Sequence, residues 1–254
     1  MPELIDTHAH LEEMENLGKT LADAKAAGLV AIIAVGQDVA SNARTLAIAA
    51  QYPGFVYPAL GCHPWNIRAE NIEENLEFIN ANIDKTVAIG EIGLDYNKRV
   101  RENADKDLQK RVLNEILKIA KAHGKPALIH SRYAWRDALE LVVESGVAKA
   151  VFHWFTGPTS VLRDIIERGY YISATPAIEY HEEHRRAVKE TPLSQLLLET
   201  DSPVTYARSR EGEFMASPAD VARSLKGAAA LKGVGEAEIA TVITVNAKRL
   251  FGLM

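Results

Sequence analysis

The sequence predicts a (β/α)8 TIM barrel with an extra C-terminal helix, and three observations carry that expectation. Eight short apolar runs recur along the chain, each followed by a stretch with apolar residues at three- and four-residue spacing, the pattern of an amphipathic helix. The runs alternate little between apolar and polar, as strands buried on both faces of a parallel sheet do. The length, 254 residues, is that of eight βα units closed into one ring. An open doubly wound sheet is the alternative. It would place a Gly-rich phosphate loop after the first strand, and none stands there.

Taken in order, the first run is "LIDTH", leading to the helical "TLADAKAAG". "LVAIIAVG" precedes "SNARTLAIAAQ", and "FVYPALGCH" precedes "IEENLEFINANI". "VAIGEIGLD" is followed by the long "LQKRVLNEILKIAKAHG", then "PALIHS" by "WRDALELVVESG". "AVFHWF" leads to "SVLRDIIERG", "YYISAT" to "EEHRRAVKE", and "LLLETDSP" to "PADVARSLKGAAALKG". The remaining "EAEIATVITVNAKRLFG" is the added terminal helix. No low-complexity tract, Gly/Ser linker or shift in composition interrupts residues 1–254, so one barrel domain over 1–254 is expected.

Composition narrows the function classes. The chain is 47% hydrophobic and 25% charged, with a formal charge of −5. An acidic balance argues against coating nucleic acid by bulk electrostatics, though a local basic patch or a metal can still meet phosphate. The single cysteine, Cys62, precludes an intramolecular disulfide and suits a reducing compartment. No signal-like N-terminal segment and no apolar run of about 20 residues is found. A cytoplasmic protein with no membrane partner is the expectation.

Catalytic residues of such barrels gather at the C-terminal ends of the strands. The polar residues ending the runs are His8 and His10, then His63, Glu91 with Asp95, His130, His153, Ser173 with Thr175, and Glu199 with Asp201. Histidines placed for separate structural reasons would not sort onto strand ends in this way. Residues i and i+2 of a strand share a face, so His8 and His10 can enter one pocket and hold a divalent metal. Asp6 lies on the same face and deeper, where it would orient an imidazole from behind. Glu91 stands near two glycines in an apolar run, and a carboxylate buried there needs a cation or strong donors. Glu199 shares a face with Asp201 and is expected deeper in the barrel.

Other features carry blander readings. "HEEH" at His181–His184 has its histidines three apart rather than the four a zincin needs, and reads as a charged helix surface. His123, before Gly124, reads as a helix C-cap. Cys62 could be a ligand or nucleophile, or simply a small buried neighbour of His63. Trp65 and Trp154 could stack on a substrate ring or wall the pocket.

The motifs "IDTHAHL", "GCHPW", "AIGEIGLDY", "ALIHSR", "VFHWFTG", "ISATP" and "LLLETDSP", closing with "VNAKRLFG", resemble the TatD family of metal-dependent deoxyribonucleases, in the amidohydrolase superfamily. The match runs in order along almost the whole chain. The resemblance implies that His8 and His10 bind one metal, Glu91 bridges two, and His130 and His153 bind the second. It implies that Asp201 is a ligand that also handles the proton of the attacking water, and that His63 contacts a phosphate oxygen. Where many members carry an "RNEP"-type loop after strand eight, this chain reads "VTYARSREGEFMASPADV", keeping Arg208, Arg210 and Pro218. Before strand five, Leu113 and Ile116 replace a Phe and a Gln, while Gln109 is kept.

The expected cofactor is one or two divalent ions, Zn2+, Mg2+ or Mn2+. Imidazole and carboxylate suit Zn2+ and Mn2+, whereas Mg2+ prefers oxygen. The expected reaction is hydrolysis of DNA phosphodiester bonds by a metal-bound water, exonuclease-like on a single strand or strand end. Catalytic Asp201, Glu91 and His63 would be supported at neighbouring phosphates by Arg132, Lys98, Arg99 and Arg101. A monomer is compatible with these motifs. The alternative is a small-molecule hydrolase of an amide, lactone or phosphoester using the same metal centre.

Overall fold

The computed structural model describes residues 2–209 and 212–253. Eight strands form one sheet in sequence order, every neighbouring pair parallel. They are β1 (Leu4–Ala9), β2 (Leu29–Val35), β3 (Val56–Leu60), β4 (Ala88–Asp95), β5 (Ala127–Arg132), β6 (Ala150–Phe152), β7 (Tyr171–Ala174) and β8 (Leu196–Leu198). The ring closes between its ends, where the Asp201 N–H donates to the His8 carbonyl (3.0 Å) and the His10 N–H to that of Ser202 (2.8 Å). The (β/α)8 barrel is therefore the fold, and the doubly wound alternative is excluded.

Helices alternate with the strands. They are α1 (Leu17–Ala26), α2 (Val39–Gln51), α3 (Ile72–Asn82), α4 (Lys98–Arg101), α5 (Lys106–Ala122), α6 (Trp135–Ser145), α7 (Thr159–Glu167), α8 (Glu182–Glu190), α9 (Val221–Lys232) and α10 (Glu236–Phe251). Their starts are written in side chains that satisfy the free N–H groups of the first turn. Asn16 caps α1, Asp38 and Ser41 form a capping box on α2, and Asp105 caps α5. The longest helix, α5, buries Gln109, Val112, Leu113, Ile116, Leu117 and Ala120 at helical spacing.

Two apolar layers result. One lies between the strands and the surrounding helices. The other fills the barrel with Ile5, Ala31, Ile33, Val35, Ala59, Ala88, Leu128, Val151 and Leu197. α10 supplies Ala247, Leu250 and Phe251 to that same interior. Its Thr244 hydroxyl donates to the Glu3 carbonyl (2.7 Å), and its Asn246 amide donates to Leu193 and Leu196, at the starts of β1 and β8. The terminal helix thus closes the floor and leaves the opposite end open.

Sequence patterning did not separate out one element. After β8, β9 (Thr205–Ser209) and β10 (Gly212–Met215) pair antiparallel, with Tyr206 opposite Phe214. Thr, Tyr and Phe around a glycine are a hairpin signal in their own right. The Tyr206 ring stacks on Phe214 at 5.5 Å and its hydroxyl donates to the Thr200 carbonyl (2.8 Å), tying the hairpin to the end of β8. Arg210, expected in this loop, lies outside the described residues.

The reading of "HEEH" as helix surface is corrected for its second histidine. α8 buries His184, Ala187 and Val188, one apolar stripe on an otherwise charged helix. The His184 Nδ1–H donates to the Phe155 carbonyl (3.1 Å), and its Nε2 accepts from the Thr175 N–H (3.1 Å). Burial pushes this imidazole down to about 4 from its ordinary 6.5. Below pH 6.5 the unfolded chain takes up a proton that the folded chain refuses, so stability is lost as pH falls towards 4. Denaturant unfolding at pH 7 and pH 5 should show wild type losing about 2 kcal/mol more than His184→Gln over that interval. Equal losses would refute the neutral, buried role.

Candidate metal centre at the barrel mouth

At the open end, the strand-end side chains converge on Glu91, which is buried in β4. Its Oε2 lies 3.3 Å from His8 Nε2 and 3.4 Å from His10 Nε2. Its Oε1 lies 2.8 Å from His153 Nε2, 2.9 Å from His130 Nδ1 and 3.4 Å from His63 Nε2. Asp201 Oδ1 stands 3.5 Å from Nε2 of both His8 and His10. The structure thus brings together all seven expected site residues.

Local backbone makes this convergence possible. A Cβ on Gly61, just past β3, would strike the backbone of Glu91, and one on Gly93 would strike the His130 carbonyl. Gly93 also has φ +150°, which side-chain-bearing residues rarely adopt. These two glycines let β4 lie close against its neighbours at the height of Glu91. Asp201 (φ 51°) and Trp154 (φ 39°) hold left-handed conformations beside the site, where strained backbone is commonly concentrated.

Behind the imidazoles stand further carboxylates. Glu199 is fully buried, 3.6 Å from His153 Nδ1 and 3.9 Å from His8 Nδ1, and it accepts the Trp154 N–H (2.9 Å). Asp95 faces His130 Nε2 at 3.4 Å and accepts the Trp65 indole N–H (2.6 Å). Gln109 fixes the Asp95 backbone from below, accepting its N–H (2.8 Å) and donating to its carbonyl (3.0 Å). His63 differs: its Nδ1 accepts the Trp65 backbone N–H (3.1 Å), so the neutral ring carries its hydrogen on Nε2 and points it at Glu91.

The electrostatics follow. Burial opposes charge on Glu91, but His63, His153 and His8 outweigh it and hold the carboxyl well below the usual range. Burial pulls His10 down, yet Asp201 and Glu91 raise it well above its ordinary value. Against the same burial, Asp95 and Glu91 raise His130, and Glu91 and Glu199 raise His153. His63 goes the other way, to about 4, because burial and the neighbouring His130 dominate.

This donor set fits divalent metal. Nε2 of His8, the ring nitrogen that faces Glu91 and Asp201, is buried and in no hydrogen bond. The groups His8/His10/Glu91, His8/His153/Asp201 and His63/Glu91/His130 each bring three ligand atoms within 4.8 Å of one another. In the last group His63 offers an N–H rather than a lone pair, so His130, with its Nδ1 turned inward, is the better donor.

Several expectations are corrected. Asp6 does not orient an imidazole: its carboxylate accepts from the Thr200 hydroxyl (2.6 Å), the Thr200 N–H (3.0 Å) and the His8 N–H (3.2 Å). The β1 ladder shifts register between Asp6 and Ala9, so two-residue alternation does not carry from one to the other. Glu199 is the carboxylate that stands behind His8 and His153, beyond hydrogen-bond reach of either Nδ1. Lys98, Arg99 and Arg101 sit on or beside α4 and do not line the cavity, whereas Arg132 does. Gln37 was missed: its amide contacts His10 Nδ1 (3.1 Å) and donates to Glu13 (2.9 Å). It lies two residues past the end of β2, where the polar residue that ends the second run stands.

The cavity over this cluster measures about 820 Å3. Trp65, Tyr133, Trp135 and Trp154 line it, with His181, Glu183 and Pro203. No helix among the described residues is long and apolar enough to cross a membrane.

Known proteins are similar to this chain over nearly its whole length. The model of the family described as TatD related DNase matches residues 5–252. A human protein, deoxyribonuclease TATDN3, is 32% identical over 98% of this chain and 94% of its own length. A Bacillus subtilis protein described as the metal-dependent hydrolase YabD is 34% identical over 98% of each chain. The crystal structure of the Escherichia coli TatD homologue YjjV superposes with a TM-score of 0.87 at 28% identity, covering 99% of this chain and 98% of that one. Gly93→Ala should cost at least about 2 kcal/mol in unfolding free energy and weaken zinc uptake in parallel, since the added methyl displaces His130. Unfolding and metal titration matching wild type would show that the close approach of β4 and β5 is not needed.

Proposed function

Because the chain belongs to the family of TatD-related DNases, we propose that it is a metal-dependent hydrolase cleaving phosphodiester bonds of DNA, on a single strand or at a strand end. The observation that carries this reading is the set of inward-facing imidazoles and carboxylates around Glu91. His8, His10, Glu91 and Asp201 would hold one ion, and Glu91, His130 and His153 a second. Zn2+ or Mn2+ suits those donors better than Mg2+ does. Divalent ions bound there would acidify water, polarise a phosphoryl oxygen and offset charge on the leaving oxygen.

The chain's own groups divide the remaining work. Asp201, held below the usual carboxylate range despite burial, chiefly by His10, stays ionised and accepts the proton of the attacking water. His63, neutral with hydrogen on Nε2, donates to a non-bridging phosphate oxygen. Asp95 holds His130 with Nδ1 inward, and the buried Glu199 stands behind His8 and His153. A walled cavity admits an unpaired strand more readily than an intact duplex, whose bases are covered by their neighbours. One protomer contains the whole set. The one cysteine, Cys62, is a buried thiol pushed up to about 12 by burial, in keeping with a reducing cytoplasm.

A second reading, hydrolysis of a small amide, lactone or phosphoester, is favoured by one observation: Arg132 is the only Lys or Arg lining the cavity among the described residues. Incubating metal-loaded protein with end-labelled single-stranded DNA separates the two. Shortening is expected with at least one of Mg2+, Mn2+ and Zn2+, and a chelator should stop it. No shortening beside rapid turnover of a small ester would favour the second reading. Asp201→Asn should lower DNA turnover by roughly 10^2–10^4 with an unchanged circular dichroism spectrum. Retained activity would remove Asp201 from the proton transfer.

A further inference from the structure

The mouth of the cavity carries aromatic surface that hydrolysis itself does not use. Trp65 is 49% exposed and Tyr133 58%, large apolar areas to leave in water, and both line the cavity. Neither ring is loose. Trp65 is tied by its indole N–H to Asp95 (2.6 Å), the carboxylate that also faces His130, and stands edge-on to His63 at 5.0 Å. Tyr133 follows three residues after His130 with φ 57°, a left-handed conformation that costs energy for any residue but glycine. The Arg132 guanidinium lies 5.5 Å from its ring centre, and the Trp135 ring meets it edge-on at 6.0 Å. Strained backbone that holds an exposed ring at a cavity mouth is better explained by a ligand than by packing.

Flat, exposed aromatic rings beside a basic side chain are how proteins grip unpaired nucleotides, since every base offers a π-face and every linkage a phosphate. We propose that Trp65 and Tyr133 form a base-stacking rim that holds unpaired nucleotides next to the phosphate being cleaved, with Arg132 meeting an adjacent phosphate. This rests on the DNA-cleaving reading above and sharpens it: the rim selects single-stranded over paired DNA, because a duplex has no free base faces to offer.

The test uses the metal-loaded full chain, a single-stranded oligodeoxynucleotide and the blunt duplex of the same sequence. KM and kcat are measured for wild type, Tyr133→Ala, Tyr133→Phe, Trp65→Ala and Trp65→Phe. Each alanine variant should raise KM for the single strand roughly 5- to 100-fold, the worth of one stacked base, while kcat of Tyr133→Ala stays within about twofold. Tyr133→Phe should restore the wild-type KM. Trp65→Phe should restore most of it although the bond to Asp95 is gone, which a purely positioning role for Trp65 would not allow. The duplex should be cut at least about tenfold more slowly than the single strand. Cleavage of DNA with unchanged KM in the alanine variants, or equal cutting of duplex and single strand, would overturn the rim and leave the nuclease reading standing. Failure of wild type to cut DNA with Mg2+, Mn2+ or Zn2+ would overturn both.

Discussion

A carboxylate taken out of water cannot remain charged unless cations or strong donors surround it. Glu91 is that carboxylate, and the mouth of the barrel is arranged around its needs. Imidazoles arrive at it from β1, from the segments after β3 and β6, and from β5, at 2.8–3.4 Å. Glycines at positions 61 and 93 let β4 approach closely enough for its two oxygens to be shared among them. Glu199 and Asp95 then stand behind three of the rings as further carboxylates. Remove the central charge and neither the glycines nor the outer carboxylates have a reason to be where they are.

Identical side chains therefore do different things here, according to their second neighbour. His130 and His153 have carboxylates on both sides and are drawn towards the cationic form. His63 has a backbone N–H on its Nδ1 and stays neutral down to about 4. His184, on the buried face of α8, spends both nitrogens on backbone groups and stays out of the cluster. An inventory of histidines could not have sorted them, because the sorting is done by the partner that each ring nitrogen meets in the fold.

This sets how much was legible beforehand. Eight strand-helix units, the C-terminal helix and the residues that meet Glu91 were all readable, because apolar runs of constant period end at fixed points of a barrel. The second row was less so. Alternation placed Asp6 behind an imidazole, but a register shift in β1 sends it to Thr200 instead, and Glu199 takes that place. Gln37 escaped because the end of the second run was not read as the others were. His184 was hidden by the charges around it, although its spacing to Ala187 and Val188 marks a buried stripe. The hairpin after β8 depends on the pairing of Tyr206 with Phe214, which strand counting for the barrel passes over.

The floor supplied by α10 bears on how the molecule is made. The groups around Glu91 span residues 8 to 201, and the barrel interior is completed only by Ala247, Leu250 and Phe251. A chain emerging from the ribosome must therefore release nearly its whole length before β1 and β8 can join and all of these groups can stand together. The complete set of donors is thus tied to the joining of β1 and β8. A nascent chain stalled before β8 would lack Asp201 and the seam that closes the ring.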